Sequence, residues 1–111
     1  MLVNVVSGTI TIPTSDTVVA GTVTRYIEGA QFGNVVVQAP ALESTGTVTV
    51  DLIDSLLGTI CEVVADESTT KLGTPNFTYY TGTLSLVATA NGTQSAARNI
   101  GYNIYYRAKQ G

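Results

Sequence analysis

The share of β-branched residues is the feature that most constrains how this chain folds. Threonine, valine and isoleucine together supply 39 of the 111 residues. Two heavy atoms on Cβ stiffen the first side-chain torsion, which disfavours a helix and suits the pleated surface of a sheet. The sequence therefore predicts an all-β protein.

Alternating runs and turn residues divide the chain into about eight short strands. Five of the runs open with Gly-Thr, at Gly8, Gly21, Gly46, Gly58 and Gly82. The predicted strands are 2–6, 9–12, 18–25, 33–39, 45–53, 59–65, 78–90 and 97–107. Eight short strands predict a two-sheet antiparallel β-sandwich, jelly-roll or Ig-like, that forms a single domain over residues 1–111.

The sequence also predicts how the first two strands are joined. A two-residue turn at Ser7-Gly8 makes them a hairpin in which Val5 lies opposite Ile10 on one face. Since Ser-Gly is a weaker turn than Asn-Gly, one long strand with a bulge at Gly8 is the alternative.

Two further hairpins are predicted along the chain. An odd-length loop such as 91–93, or a bulge near Ala96-Ala97, joins the last two strands so that Leu84 faces Ile100, because a slip of one residue would turn the apolar side chains outward. Asp54 and Ser55 belong to a hairpin loop between strong strands, which is favoured over a single helical turn there.

Residues that could carry chemistry are few. The sequence has no histidine, so the commonest general base and the His-assisted nucleophiles are missing. The carboxylate pairs Asp51/Asp54 and Asp66/Glu67 have no third ligand at a useful spacing, and we expect solvated turn residues. Cys61 is predicted to be structural, with an exposed thiol as the alternative. We predict no enzyme, no catalytic, cofactor-binding or metal-binding residues, and no cofactor.

Several partner classes are also excluded at this stage. The five basic residues are scattered and the net charge is -3, which does not suit nucleic acid. No phosphate-binding loop points to a nucleotide or another small-molecule substrate. The longest uncharged stretch, 72–97, is interrupted by polar residues and does not predict a membrane span. The first residues lack the basic charge of a secretory signal, and we expect a protein made in a cytoplasm.

Charged residues are scarce in this sequence. It has 13 of them, whereas a soluble domain of this length carries about 28. Residues 1–15, 29–42 and 72–97 have none at all. Exposed edge strands are usually guarded by charge or proline, and neutral surfaces let identical copies meet without repulsion. The composition therefore predicts a homo-oligomer or another assembly subunit.

Adjacent tyrosines mark a candidate interface. Tyr79-Tyr80 and Tyr105-Tyr106 each lie in a predicted strand, so one ring of each pair should face outward. An exposed tyrosine suits a protein interface or stacking against a sugar. A cross-strand aromatic pair that stabilises the sheet is the structural alternative. These four residues and Arg107 are the candidate interface residues.

Three segments carry a family resemblance: the Thr/Val-rich opening 6–12, the strand-turn-strand 47–62 and the closing 82–106. In texture the chain resembles small all-β virion proteins of tailed bacteriophages, particularly head decoration (cement) proteins. The resemblance implies a non-enzymatic capsid-stabilising subunit, made in the host cytoplasm and located in the virion. Its implied partners are the major capsid protein or other virion proteins, bound as a trimer, another oligomer or a monomer.

Two other functions are open on the same sequence. One is a phage tail or fibre component, because similar textures occur there. The other is a carbohydrate-binding or adhesive β-sandwich that uses its outward tyrosines, with Asp66 and Glu67 holding calcium.

Overall fold

The computed structural model describes residues 4–13, 20–26, 30–43, 46–72, 77–78, 83–91 and 94–108. Every regular element in these ranges is a strand, and none of them forms a helix that could cross a membrane. The strands are β1 (Asn4–Ile12), β2 (Ala20–Tyr26), β3 (Ala30–Gln38), β4 (Thr47–Asp54), β5 (Gly58–Asp66), β6 (Thr70–Leu72), β7 (Phe77–Thr78), β8 (Thr83–Ala90) and β9 (Arg98–Ala108). The all-β prediction is confirmed.

The strands form two antiparallel sheets. Sheet 1 has the order β1-β9-β3-β6, with β7 also paired to β3, and sheet 2 has the order β2-β8-β4-β5. Since β9 occupies one side of β3, β6 and β7 share the other side and together fill one strand position. When β6 and β7 are counted as one strand, β8 becomes the seventh strand and β9 the eighth. The two sheets then have the strand orders 1-8-3-6 and 2-7-4-5, which is the arrangement of a jelly roll. The predicted sandwich is confirmed, in its jelly-roll form.

The core lies between the sheets and takes every second side chain of each strand. Along β4 and β8, each buried residue alternates with a partly buried one. Leu52 and Leu86 reach the core from sheet 2, and Ile100 and Ile104 reach it from sheet 1. Burying such a side chain contributes about 1.5–3 kcal/mol. The period-2 pattern of the sequence is therefore the main source of stability.

Most connections cross from one sheet to the other, which corrects the predicted closing hairpin. β8 belongs to sheet 2 and β9 to sheet 1, so the two strands do not pair. Leu84 and Ile100 are both buried in the core, but they lie in different sheets. The prediction failed because a turn sequence between two strands does not specify whether the chain stays in one sheet.

The predicted opening hairpin is also wrong. β1 is one continuous strand, paired with β9 from Asn4 to Ile12 without a register shift, so the predicted alternative is correct but has no bulge. Val6 consequently faces the core and Val5 faces outward. Because β9 offers a partner of full length, β1 gains nine paired residues where a tight turn would have paired only four on each arm.

Two other predicted boundaries change. The predicted strand 78–90 contains the last residue of β7, in sheet 1, and all of β8, in sheet 2, and the short β6 was not predicted. Among the Gly-Thr positions, Gly58 begins β5 and Gly46 immediately precedes β4, as expected. Gly8 and Gly21 instead lie inside strands. Glycine thus marks a turn at some of these sites and is merely tolerated in a strand at others.

The hairpin predicted between β4 and β5 is confirmed. The Asp54 carboxylate is buried, and its Oδ1 accepts a hydrogen bond from the backbone N–H of Leu56 at 3.2 Å. Gly58 has φ 81°, a left-handed conformation that disfavours any side chain. The loop leaves Leu56 and Leu57 exposed at its tip.

A polar cluster joins the β3–β4 and β8–β9 connections at one end of the sandwich. The buried Gln94 accepts a hydrogen bond from the Glu43 N–H at 2.9 Å and donates one to the Glu43 carbonyl at 3.1 Å. Its Oε1 also accepts from Arg98 Nε at 3.0 Å. Glu43 Oε2 accepts from the N–H and hydroxyl of Ser95, both at 2.6 Å. These bonds fix the path by which two connections pass from sheet to sheet.

Replacing one buried leucine and one exposed leucine by alanine tests where the core lies. Leu86→Ala empties a site in the core, and we expect the free energy of unfolding to fall by about 2–5 kcal/mol. Leu56→Ala changes a residue that is 81% exposed, and we expect a change of at most about 0.5 kcal/mol. Urea unfolding followed by circular dichroism measures both. Equal losses would contradict the placement of the core.

Candidate assembly interface

The predicted interface residues at the end of β9 divide between the two faces of sheet 1. Tyr105 is 37% exposed on the outer face, whereas Tyr106 packs against the core. One ring inward and one outward is the predicted arrangement, and it is confirmed for this pair. Arg107 follows them and is partly buried. Tyr79 and Tyr80 lie outside the described residues.

Val5 completes an exposed patch that the sequence pattern did not predict. It lies directly opposite Tyr105 on the neighbouring strand β1 and is 54% exposed. Asn34 of β3 lies on the other side of Tyr105. The predicted opening hairpin had turned Val5 toward the core, so only the corrected register places it here.

The outer face of sheet 1 is nearly free of charge. The topology brings three uncharged stretches side by side: all of β1, all of β3, and β9 between its two arginines. Ser7 donates a hydrogen bond to Asn103 Oδ1 at 2.6 Å, and Thr11 donates one to Asn99 Oδ1 at 2.9 Å. Polar side chains of this face are thus hydrogen-bonded to one another across the strands, so they need fewer hydrogen bonds from water.

The edge formed by β1 is open in the described part of the chain. Its nine residues pair with β9 on one side, and no described strand pairs with the other side. Every second residue of such an edge directs its N–H and C=O away from the sheet. β1 also contains no charged residue, no proline and no bulge, which are the usual protections of an edge.

The other three sheet edges differ from β1. β5 carries the exposed Glu62 and Asp66 and has a register shift opposite β4. β6 is only three residues long. It carries the exposed Lys71, which lies opposite Val37, a residue of β3 that faces the core. β2 has seven residues, including Arg25. Charge, shortness or irregularity protects these edges, so β1 is the edge best suited to pairing.

Acidic residues gather instead on sheet 2. Asp51 and Glu62 lie directly opposite each other on β4 and β5. Burial first, and then a hydrogen bond to Glu62 and the charge of Glu62, raise the pKa of the Asp51 carboxyl. Asp51 and the buried Asp54 are therefore not the solvated turn residues that we expected, because both lie on β4. Asp66 and Glu67 are exposed, as expected.

Cysteine and metal chemistry find little support in the described residues. Cys61 is buried, which confirms its structural interpretation, and burial followed by the charge of Asp51 raises the pKa of its thiol. Within the ranges that the structure describes, no three His, Cys, Asp or Glu side chains gather where they could hold a metal ion. Glu67, one half of the suggested calcium pair, accepts a hydrogen bond from the Leu42 N–H at 3.1 Å.

Comparison with known proteins supports the fold. No protein-family model and no curated protein matches the sequence. Among solved structures, the chain is similar to one described as Bacillus endospore appendages that form a family of disulfide-linked pili. The similarity has a TM-score of 0.51 at 13% sequence identity and covers 97% of this chain and 89% of that chain. At this identity the likeness shows a shared fold.

The facing carboxyls on sheet 2 predict a particular pH dependence. A raised pKa means that folded Asp51 keeps its proton at a pH where the unfolded chain has lost it, so stability falls as the pH rises from the ordinary 3.8 through the raised value. Asp51→Asn removes this loss and one of two like charges. We expect a gain of about 0.2–1 kcal/mol in the free energy of unfolding at neutral pH.

Urea unfolding of Asp51→Asn and of the wild type across the acid range measures that gain. It should vanish below the ordinary pKa of aspartate. Glu43→Gln is the control, since hydrogen bonds from Ser95 lower the pKa of Glu43 and its loss should act in the opposite direction. A variant that is destabilised at neutral pH would contradict the account of Asp51.

Proposed function

We propose that this chain is a non-enzymatic structural subunit of a multi-copy protein assembly. The observation that carries the proposal is the nearly uncharged outer face of sheet 1 together with its unprotected edge β1. A protein that worked alone would leave both in water, where a flat neutral edge is a site of uncontrolled aggregation. In an assembly, neighbouring subunits cover them.

In its specific form, the proposal is a decoration subunit on the head of a tailed bacteriophage. The partner would be the major capsid protein or another virion protein, and the location would be the virion. Two features support this form: the textural resemblance of segments 6–12, 47–62 and 82–106 to cement proteins, and the jelly-roll topology, which viral capsid proteins also use. The neutral face of sheet 1 would lie against the shell.

A subunit of a filament or fibre is the second candidate, and the fold similarity to the endospore appendages favours it. Those appendages are described as disulfide-linked pili. This sequence has a single cysteine, Cys61, and it is buried, so a filament of this chain would be held by strand pairing and surface contacts.

A carbohydrate-binding or adhesive module remains an alternative from another class. Tyr105 offers an exposed ring beside Val5, which suits a sugar as well as a protein. The other exposed ring that this alternative needs, from Tyr79 or Tyr80, lies outside the described residues. Binding on a glycan array would favour this alternative over an assembly subunit.

The two forms of the proposal predict different behaviour of the purified protein. Light scattering and negative-stain electron microscopy over a wide concentration range should show filaments if the chain is a filament subunit. A decoration subunit should form no filaments alone, should bind empty phage shells, and should raise the temperature at which the shells disassemble. A protein that neither associates with itself nor binds shells would contradict the proposed function.

A further inference from the structure

We propose that β1 pairs with β1 of a second copy of this chain. The two strands run antiparallel across a two-fold axis at Gly8, so that sheet 1 continues from one subunit into the other. The inference rests on the proposed function, because it names the contact through which an assembly subunit meets its neighbour.

The strand supplies the backbone groups that such a pairing needs. β1 is paired with β9 over its whole length without a register shift, so its other side is a straight row of outward N–H and C=O groups. A partner strand of the same length can pair along this row. In the described part of the chain, no other segment is placed to do so.

A second copy of β1 matches this edge better than the other described edges do. Both strands are uncharged, so two copies meet without like-charge repulsion. β5 would bring two carboxylates and an irregular register, and β6 would satisfy only three residues. β2 comes nearer in length, at seven residues, but includes Arg25.

When two copies of β1 run antiparallel, the inward residues of one strand can lie opposite the inward residues of the other. With Gly8 opposite Gly8 of the second copy, residues whose numbers sum to sixteen face each other, and even residues meet even residues. Val6 then lies opposite Ile10, and both point toward the core side. A slip of one residue would place the two cores on opposite faces of the shared sheet, so only slips by an even number of residues keep the pattern, and full overlap of the two nine-residue strands selects Gly8 opposite Gly8.

The pairing also covers apolar surface that the single chain exposes. Val5 is 54% exposed and would lie opposite Thr11 of the second copy. Val6 is only partly buried, although it packs against the core, and Ile10 of the second copy would complete its surroundings. Gly8 brings no side chain to the axis, so the two backbones can approach there.

Thr9 is the position from which to test the contact. Its side chain is exposed, and its neighbour on β9 is Gly101, so a new side chain there should leave the sheet within each subunit intact. In the proposed register, Thr9 is diagonal to Thr9 of the second copy, at about 7–8 Å, within reach of long side chains. A charge at this position therefore meets its own copy.

We expect Thr9→Lys and Thr9→Glu each to weaken self-association about fivefold, since each places like charges across the axis. An equimolar mixture of the two should associate at least as well as the wild type, because lysine then faces glutamate. Sedimentation velocity measures the dissociation constants of the separate and mixed variants. Urea unfolding checks that both variants fold with wild-type stability.

Thr70→Lys is the matched control, because it adds the same charge to an exposed threonine on the opposite edge of the same sheet. It should associate like the wild type. The inference is overturned if both Thr9 variants also associate like the wild type, if their mixture recovers nothing, or if Thr70→Lys weakens association as much.

Other results separate this contact from the proposed function. A wild-type protein that stays monomeric alone but loses shell binding with Thr9→Lys would place a strand of the shell on β1 and overturn the second copy as its partner. Assembly that is intact in both Thr9 variants would overturn the β1 contact and leave the assembly subunit standing. Only a wild type that neither assembles nor binds shells would contradict the proposed function itself.

Discussion

The structure depends on one apolar layer to which both sheets contribute every second side chain. Among the residues that the structure describes, eighteen apolar ones form this buried cluster, and they come from both sheets. Because period 2 is the repeat of a strand, the layer decides the face of every other residue as well. Most polar and charged side chains are left with the outer faces, the edges and the connections.

The distribution of charge follows from this constraint and from the crossing connections. β1, β9 and β3 are distant in sequence, yet they lie side by side and leave the outer face of sheet 1 nearly free of charge. β4 and β5 are joined by the one described hairpin and bring Asp51 and Glu62 opposite each other on sheet 2. The sandwich therefore has one nearly uncharged outer face beside an open edge, and an acidic sheet whose edge strand β5 carries carboxylates. Such asymmetry suits a subunit that uses one surface for contacts and keeps another in water.

The sequence predicts the class of fold and most strand positions, because alternation and β-branched residues act locally. β4 and β5 begin and end within two residues of their predicted bounds, and a hairpin loop follows β4 as expected, although Asp54 itself ends the strand. The sheet to which each strand belongs could not be predicted from these local patterns. The turn near Asn91 looks like a hairpin turn, yet Asn91 Nδ2 donates hydrogen bonds to Thr47 and Thr49 of β4, and the chain then crosses to sheet 1.

The candidate site was predictable to a similar degree. Tyr105 and Tyr106 could be divided into one outward and one inward ring because the division needs only the period of a strand. The exposed Val5 and the open edge could not be predicted, because both depend on the pairing of β1 with β9, which are nearly a chain length apart in sequence. The scarcity of charged residues predicted an assembly subunit. The topology shows that the uncharged stretches lie side by side in sheet 1.

The central claim is that β1 is an open edge in the single chain and is covered on assembly. Residue-resolved amide hydrogen exchange of the dilute and the assembled protein tests this most directly. The account predicts that alternate amides of β1 exchange rapidly in the dilute protein and become protected on assembly, while the amides of β5 do not change. Amides of β1 that are all protected in the dilute protein, or that exchange equally fast in both states, would contradict it.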